Sequence, residues 1–476
     1  MTTSSFNKTT AVSTINIEKI AQALNTIDCR ILPAFQNVHL NIYDASKIAK
    51  ILIDDKKILE CASLIYWSFH KNHDLPLDIA LIFSSYLGEI GFMDIALDIR
   101  KEAQIDNDKR LSSSSLSNTP LRIVSSDYTD VIGHIGILEA IYKLQHSGIG
   151  TRFKICINKP QQAANKALLD KFSLLFPYIE IPPSELNNSA FAHAKLPLSV
   201  IPLSDGRIVG LFEAALLAEQ KWQQKFSSPV LNLSEEEQQQ GKSELSRLGI
   251  PKDAWFVGMH VREDLHSSRN LCNADITTYY KAISNIVKRG GYVVRIGNKN
   301  MPPLPTMKNV VDLAHNAART PFLDMYICGA SKFFIGTSSG PLAVPPCFNV
   351  PTIYTNAFLF RTHWYSQGLR VPILYKNKSG QLLTVDSLLE TPFTNTLNPA
   401  LLDQLGIIPV FNTSSDICDA VDEMFDRIDG NFTVPLGYNS IQDKWLHVND
   451  RFLHKYSFKG TEKTVFKFAQ MHMSLL

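Results

Sequence analysis

The sequence between residues 255 and 356 contains five short apolar runs that decide the fold class. They read WFVGMHV (255–261), YVVRIG (292–297), NVVDLA (309–314), KFFIGT (332–337) and PTIYTN (351–356). Helical segments separate most of them, as in DITTYYKAISNIVKRGG, where Asp275 is suited to cap a helix and Gly290-Gly291 to end it. Strands that alternate with helices form a parallel, doubly wound sheet. We therefore predict a Rossmann-like domain over residues 254–410.

A second unit of the same kind precedes this series. LRIVSS (121–126) predicts a strand, VIGHIG (131–136) a glycine-containing turn before a helix, and FKICINK (153–159) the next strand. A polar stretch, 232–253, separates the two series and is interpreted as a linker. We therefore predict an α/β fold with two Rossmann-like domains, 121–231 and 254–410, that face a cleft. Helices are expected in the carboxyl-terminal segment 411–476.

The chain begins with a region of helical periodicity, predicted as an α-helical domain over residues 1–105 with tetratricopeptide-like hairpins. Its helices are expected at 44–54, 56–70, 76–89 and 93–104. The Ser-rich stretch 106–120 is interpreted as a linker. Asp106-Asn107-Asp108 matches a DxD metal-binding pattern, but its flanks are polar instead of forming a strand, so we expect no metal there.

Composition excludes several classes of protein. The 476 residues are 45% hydrophobic and 19% charged, which is not typical of a disordered chain or a coiled coil. The 47 basic and 45 acidic residues leave a formal charge of +2, too small to predict a nucleic-acid partner. No apolar stretch approaches the ~20 residues that cross a bilayer. The seven scattered cysteines favour reduced thiols. We expect a cytoplasmic protein, a peripheral position at the inner membrane face being compatible with this.

The predicted strand ends carry the chemistry, because ligands of doubly wound sheets bind at the carboxyl ends of the strands. An Arg fork matches phosphate oxygens, and a Gly/Ser/Thr turn offers hydroxyls and backbone N–H groups. The turn alone could be a plain strand-to-helix connection, and Arg262 could pair with Glu263 or Asp264. Together they predict an anionic ligand, for which a nucleoside diphosphate is the natural candidate. The candidate residues are His260, Arg262, Arg295, Gly297, Asp312, Thr337, Ser338, Ser339 and Gly340.

Three segments resemble a known family. GMHVRED (258–264), GGYVVRIGNK (290–299) and DMYICGASKFFIGTSSGPLAVPPCFNVPTI (324–353) resemble a group of bacterial glycosyltransferases associated with surface-polysaccharide loci. They are similar, more distantly, to GDP-fucose-dependent fucosyltransferases with an HxR motif. The resemblance covers roughly residues 121–430. It implies a GT-B fold, with the donor sugar nucleotide held mainly by the second domain, the acceptor by the first, and no obligatory metal or other cofactor. It also implies that carboxyl-terminal helices over 411–476 pack back on the first domain.

The resemblance also implies roles for single residues. His260 and Arg262 match the HxR motif, whose Arg contacts the donor diphosphate, and Asp324 matches the acidic residue that opens the last motif. Ser338 and Ser339 match its paired serines near the phosphates. Asp264 follows the Arg by two residues instead of three, and Gly340 replaces a residue that is often polar. The HxR motif favours a GDP-sugar. The GTSSGP turn also resembles the phosphate loop of heptosyltransferases, which use ADP-sugars. The nucleobase of the donor therefore stays open.

Metal-independent transfer with inversion is the expected reaction. Arg262, hydroxyls and a helix start can neutralise the leaving diphosphate in place of a metal ion. A general base must take the acceptor proton. The candidates are Asp127 and His134 in the first domain, and Asp264 and His266 in the second. The acceptor is expected to be a glycan, a lipid-linked sugar or a protein.

Two other functions stay open at this point. A nucleotide-sugar epimerase or hydrolase on the same architecture would process the donor without a sugar acceptor. A catalytically inactive scaffold would bind a partner through the helical domain. In any of these cases the helices could recruit a protein or mediate self-association.

Overall fold

The computed structural model of the chain separates it into two compact units, residues 1–113 and 114–476. Each unit is described by itself. The structure describes residues 14–15, 35, 37–71, 75–90, 93–113, 121–149, 154–160, 162–186, 188–263, 270–360, 367–389, 399–452 and 462–476.

The first unit consists mainly of antiparallel helices. Helix α1 packs on α2 and α3, and α3 packs on α4. Two short strands, β1 and β2, pair antiparallel. The four predicted helices are confirmed, and the tetratricopeptide-like character stays a prediction. The elements are β1 (Thr14–Ile15), α1 (Ile42–Asp54), α2 (Ile58–Lys71), β2 (Leu75–Pro76), α3 (Leu77–Glu89) and α4 (Met93–Ser112).

Helix α4 runs further than the sequence predicts. It continues to Ser112, so the first seven residues of the predicted linker 106–120 are helical. The polar side chains there bond along the helix one turn apart: Arg110 Nε donates to Asp106 at 2.7 Å, and Gln104 donates to Asp108 at 2.7 Å. Pairs at this spacing stabilise exposed helices without an apolar face. The prediction of a linker, which rested on polar composition alone, is therefore wrong for residues 106–112.

The second unit is α/β and contains a three-stranded and a seven-stranded parallel sheet. The larger sheet has the order β10-β9-β8-β11-β12-β13-β16, and the smaller one β3-β4-β5. Two separate antiparallel strand pairs, β6–β7 and β14–β15, also belong to the second unit. The strands are β3 (Leu121–Val124), β4 (Lys154–Asn158), β5 (Tyr178–Ile179), β6 (Val200–Pro202), β7 (Ile208–Gly210), β8 (Phe256–His260), β9 (Tyr292–Arg295), β10 (Val310–Asp312), β11 (Phe334–Gly336), β12 (Thr352–Ala357), β13 (Gly368–Pro372), β14 (Leu374–Lys376), β15 (Ile408–Val410) and β16 (Lys463–Thr464).

Helices cover both faces of the larger sheet. The helices of the second unit, around both sheets, are α5 (Ser126–Thr129), α6 (Ile132–His146), α7 (Lys166–Ser173), α8 (Pro183–Leu186), α9 (Ser189–Ala194), α10 (Leu211–Lys225), α11 (Glu235–Arg247), α12 (Tyr280–Lys288), α13 (Pro321–Ala330), α14 (Val385–Leu389), α15 (Pro399–Gln404), α16 (Ser414–Ile428), α17 (Tyr438–Phe452) and α18 (Phe466–Met471). Short 3-10 turns lie at Asn270–Cys272, Ile276–Tyr279, Leu313–His315, Gly340–Ala343, Pro345–Phe348 and Met473–Leu475.

The larger sheet has the strand order of a Rossmann fold. The five predicted strands are β8 to β12, and β13 and β16 extend the sheet beyond them. The chain builds outward from β8 to β10 on one side and then crosses back to β11 on the other. The point where the order reverses lies between β8 and β11, and this is where such sheets bind ligands.

The two faces of the sheet belong to different cores. On β8, Phe256 joins the core shared with the smaller sheet, whereas Val257 and Met259 join the core under α12 and α16. Side chains of a strand alternate between faces. His260 therefore shares the face of Phe256, the one towards the smaller sheet.

The polar stretch 232–253 contains a helix, not only a linker. Helix α11 begins after Ser234, whose hydroxyl accepts from the Glu237 N–H at 3.2 Å while the Glu237 carboxylate accepts from the Ser234 N–H at 2.7 Å. This capping box satisfies N–H groups that a helix start leaves without partners. Gly241 then lets α11 approach α13, since a Cβ there would lie 2.2 Å from the Tyr326 ring.

The carboxyl-terminal segment packs on the second domain, contrary to the prediction for 411–476. Helix α16 contacts α12, β12 and β13, and β16 extends the larger sheet. The cause is the apolar face of α16, where Ile417 and Val421 lie in the same core as Val257. That face fits the side of the sheet that α12 leaves partly uncovered. Among the described residues, no helix is both long and apolar enough to cross a membrane.

We expect Ser234→Ala to loosen α11. Loss of an N-cap hydroxyl costs about 1 kcal/mol. Amide hydrogen exchange in residues 235–247 should therefore become about fivefold faster when exchange occurs through local opening. Ser246→Ala, an exposed position in the last turn, is the control. Equal exchange in both variants would contradict a capping role.

Candidate functional site

The ends of β8 and β11 are joined at the point where the strand order reverses. His260 lies opposite Gly336 in the parallel register. Beyond it, the Thr337 N–H donates to the His260 carbonyl at 3.3 Å, and the Arg262 N–H donates to Thr337 Oγ1 at 3.1 Å. Thr337 is fully buried. The structure thus brings Arg262 and the turn after β11 to one edge of one sheet, with Thr337 as a connecting residue and not as an exposed hydroxyl.

A second connection joins the side chains. His260 Nδ1 lies 2.8 Å from Ser339 Oγ, and that hydroxyl donates to the Thr337 carbonyl at 3.2 Å. Because the hydroxyl proton points to the carbonyl, His260 Nδ1 donates to Ser339 Oγ and the imidazole keeps a lone pair on Nε2. Ser339 is therefore held in a fixed position.

His260 is neutral at physiological pH. Burial lowers the pKa of its imidazole to about 3, and the nearby positive charges of Arg295, Arg262 and Arg319 act in the same direction. An uncharged imidazole surrounded by guanidinium groups can orient a hydroxyl without adding charge. The pKa thus marks His260 as a positioning group at this edge.

Ser338 and Gly340 have different surroundings within the same turn. Ser338 shares a hydrogen bond with the Tyr354 phenol on β12, whose pKa burial raises to about 12. Gly340 instead touches the first half of the unit: a Cβ on Gly133 would lie 2.6 Å from Gly340 Cα. One residue of the turn is thus tied to the sheet, and another allows backbone contact with helix α6.

Gly133 and Gly340 let the start of α6 approach the turn after β11. A Cβ on Gly136 would likewise lie 2.7 Å from the Ala343 carbonyl oxygen. Only glycine permits such an approach of one backbone to another. His134 and Ile135 lie between Gly133 and Gly136 in α6, so the backbone of His134 lies next to the junction of the two halves.

His134 has a defined tautomer. Its Nδ1 lies 2.7 Å from the Asp127 carbonyl oxygen, which can only accept. Nδ1 therefore carries the proton, and in the neutral imidazole Nε2 has a free lone pair. The Asp127 carboxylate itself is exposed on α5. Of the two candidates from the first domain, His134 has the geometry of a base.

Arg295 and Asp312 do not line the site, contrary to the sequence-based prediction. Arg295 is fully buried, and its Nη1 donates to the Pro302 carbonyl at 2.7 Å and to Asp312 at 3.3 Å. Asp312 also accepts from the Leu304 N–H at 2.9 Å. Val294 faces the core shared with the smaller sheet, so the alternation of β9 turns Arg295 to the opposite side. The pair fixes the loop after β9.

The three remaining candidates are Gly297, Asp264 and His266. Gly297 packs beside Met301, whose sulfur would lie 2.4 Å from a Cβ at that position, so its role is to admit that side chain. Asp264 and His266 lie outside the described residues. The described residues contain no group of three or more His, Cys, Asp or Glu side chains that could hold a metal ion.

Asp324 has a partner that the sequence analysis missed. The Arg319 guanidinium donates to its carboxylate through Nη2 at 2.8 Å and through Nε at 3.1 Å. Burial raises the pKa of Asp324, and the Arg319 charge opposes this rise. The sequence contains one signal for this partner. Arg319 directly precedes Thr320 and Pro321, a capping residue and a Pro that start a helix after a strand-end loop.

Comparisons with known proteins give fold neighbours only. No protein-family model and no curated protein matches the chain. Solved structures of glycosyltransferases do. A glycosyl transferase family 9 protein from Veillonella parvula is 10% identical, with 53% of this chain and 85% of that chain covered and a TM-score of 0.31.

Two neighbours come from E. coli. The iron-containing dodecameric glycosyltransferase TibC is 14% identical, with 66% of this chain and 77% of that chain covered and a TM-score of 0.34. Heptosyltransferase WaaC is 10% identical, with 60% and 98% covered and a TM-score of 0.28. These three are described as two glycosyltransferases and a heptosyltransferase, and no fucosyltransferase is among them. At such low similarity, the assignment of a function rests on the site itself.

We expect the His260 ring to stay uncharged from pH 8 to pH 5. Its folded-state pKa of about 3 lies below the usual 6.5. The unfolded chain therefore binds more protons between these two values, and the contribution of His260 to stability falls as the pH falls through this window. Nitrogen-15 NMR of the imidazole should show no titration above pH 5. A midpoint near 6.5 would contradict the buried environment.

Proposed function

We propose that this protein is a glycosyltransferase that moves a sugar from a nucleoside-diphosphate sugar to a glycan, lipid-linked or protein acceptor. The observation that carries the proposal is the junction of Arg262 with the Ser339-Gly340 turn at the reversal of strand order. Helix α6 of the first half faces this junction through Gly133. A guanidinium beside a fixed Gly/Ser turn, with helix α6 of the other half next to it, matches the needs of a diphosphate leaving group and an acceptor.

The proposed reaction needs charge stabilisation on one side of the sugar. The bond between the sugar C1 and the diphosphate oxygen breaks, and its electron pair leaves with the nucleoside diphosphate. Arg262 would stabilise that charge, while neutral His260 holds Ser339 and so fixes the turn beside it. Fixed donors in a water-poor site contribute strongly to such steps. The proposal includes a metal-independent reaction, as the family resemblance implies.

The other side of the sugar needs a base. In the proposal the acceptor oxygen attacks C1 from the opposite face, with inversion, and its proton passes to His134 Nε2. The hydrogen bond from Nδ1 to the Asp127 carbonyl supports this assignment, because it leaves Nε2 as the basic atom. The HxR motif favours a GDP-sugar as the donor. Comparing the binding of GDP, ADP, UDP and CDP identifies the nucleobase of the donor.

We expect Arg262→Ala to weaken binding of the preferred nucleoside diphosphate at least about tenfold. A charge-assisted hydrogen bond contributes about 1.5 kcal/mol or more, which corresponds to that factor. Calorimetric titration with GDP, UDP, ADP and CDP measures it. Arg289→Ala is the control, since Arg289 pairs with Asp422 near the end of α12. No binding of any of the four by the wild type, or equal affinity of wild type and Arg262→Ala, would overturn the site.

We expect His134→Ala to lower kcat about a hundredfold or more and to leave nucleoside-diphosphate affinity unchanged, because the base acts on the acceptor. His146→Ala is a matched control: its Nδ1 lies 2.8 Å from the Tyr142 carbonyl at the far end of the same helix. Unaltered kcat would rule out His134 as the base.

Nucleoside-diphosphate release that needs no acceptor would instead indicate an epimerase or hydrolase. Activity that a chelator abolishes and manganese restores would overturn the metal-free reaction.

A further inference from the structure

Helix α13 covers the end of β8 on the face of His260. Gly258 lies under this helix, where a Cβ would come 3.1 Å from Ile327, and the rings of Phe256 and Tyr326 are 6.4 Å apart. A crossover helix runs antiparallel to its strands. The residues that precede Ile327 in α13 therefore lie towards the carboxyl end of β8, where His260 is the last strand residue.

Asp324 holds Arg319 at this place. The ion pair uses the Nε and Nη2 donors of Arg319, and Asp324 is almost completely buried while 37% of the Arg319 side chain is exposed. A guanidinium has five N–H donors, so this geometry leaves the Nη1 group for another acceptor. Arg319 is also one of the charges that lower the pKa of His260.

The loop that carries Arg319 is anchored from the first half of the unit. Asn165 Nδ2 donates to the Pro321 carbonyl at 2.9 Å, and Asn165 Oδ1 accepts from the Leu168 N–H at 2.9 Å. Asn165 is 1% exposed. Both the side chain and the backbone near Arg319 are thus fixed, so little conformational freedom is lost when an anion binds.

We propose that Arg319 is a second guanidinium that binds the diphosphate of the donor, with Asp324 as its positioning residue. This inference rests on the proposed function. A nucleoside diphosphate leaves with more than one negative charge, which Arg262 alone does not balance. Arg262 extends from the end of β8, and Arg319 lies above that strand at the start of α13. The two approach the same anion from the sheet and from the covering helix.

The test measures the affinity of pyrophosphate and of the preferred nucleoside diphosphate for four forms of the full-length chain. These are the wild type, Arg319→Gln, Arg319→Gln with Asp324→Asn, and Arg289→Gln. We expect about tenfold weaker binding of both ligands to the two Arg319 variants. The control variant, from the Arg289–Asp422 pair, should bind as the wild type does.

The double variant separates a lost contact from a repulsive carboxylate. Arg319→Gln leaves Asp324 buried without its partner charge, whereas the double variant has a neutral amide there. Wild-type affinity in the double variant would show that repulsion caused the loss, and would overturn the inference. Unchanged affinity in Arg319→Gln alongside weakened binding in Arg262→Ala would overturn it and leave the proposed function standing. Absence of binding by the wild type would overturn both.

Discussion

The parallel pairing of β8 with β11 determines where the candidate ligand contacts of this protein lie. In this pairing His260 is opposite Gly336, and the residues beyond the two strand ends bond to each other through Thr337. A shift of β8 by one residue would turn His260 to the other face of the sheet. The imidazole would then lose Ser339, and the turn would lose its fixed hydroxyl.

Burial of this pairing has an electrostatic consequence. Several arginines lie near His260, and burial keeps the imidazole neutral among them. Arg295 pairs with Asp312 within the sheet, and Arg319 pairs with Asp324 on the covering helix. The same residue type thus has different surroundings near one edge of the sheet. Strand alternation, and not the identity of the residue, separates them.

Close backbone packing then connects the strand ends to the first half of the unit. Gly133 and Gly340 touch without side chains between them, and one core cluster continues from the smaller sheet to a face of the larger one. The position of His134 relative to Ser339 follows from this contact. Asn165 adds a hydrogen bond at Pro321, so the two halves also meet at the start of α13.

The sequence by itself determined the strands β8 to β12, the βαβ start of the second unit and the set of residues at the strand ends. Apolar runs of strand length and glycine-containing turns are local signals, and local chemistry fixes them. The same signals failed for α11 and for the end of α4, because polar helices stabilised by caps and side-chain pairs resemble linkers in composition.

Only the tertiary structure decided which strand-end residues lie at the reversal of strand order. Arg262 and Arg295 are equivalent in the sequence pattern, but one lies beside Thr337 and the other is buried against Asp312. Arg319 carries no strand signal, and it approaches His260 only because α13 crosses β8. These outcomes depend on strand order and on which helix covers which face. Both are set by contacts between residues far apart in the chain, which local patterns do not encode.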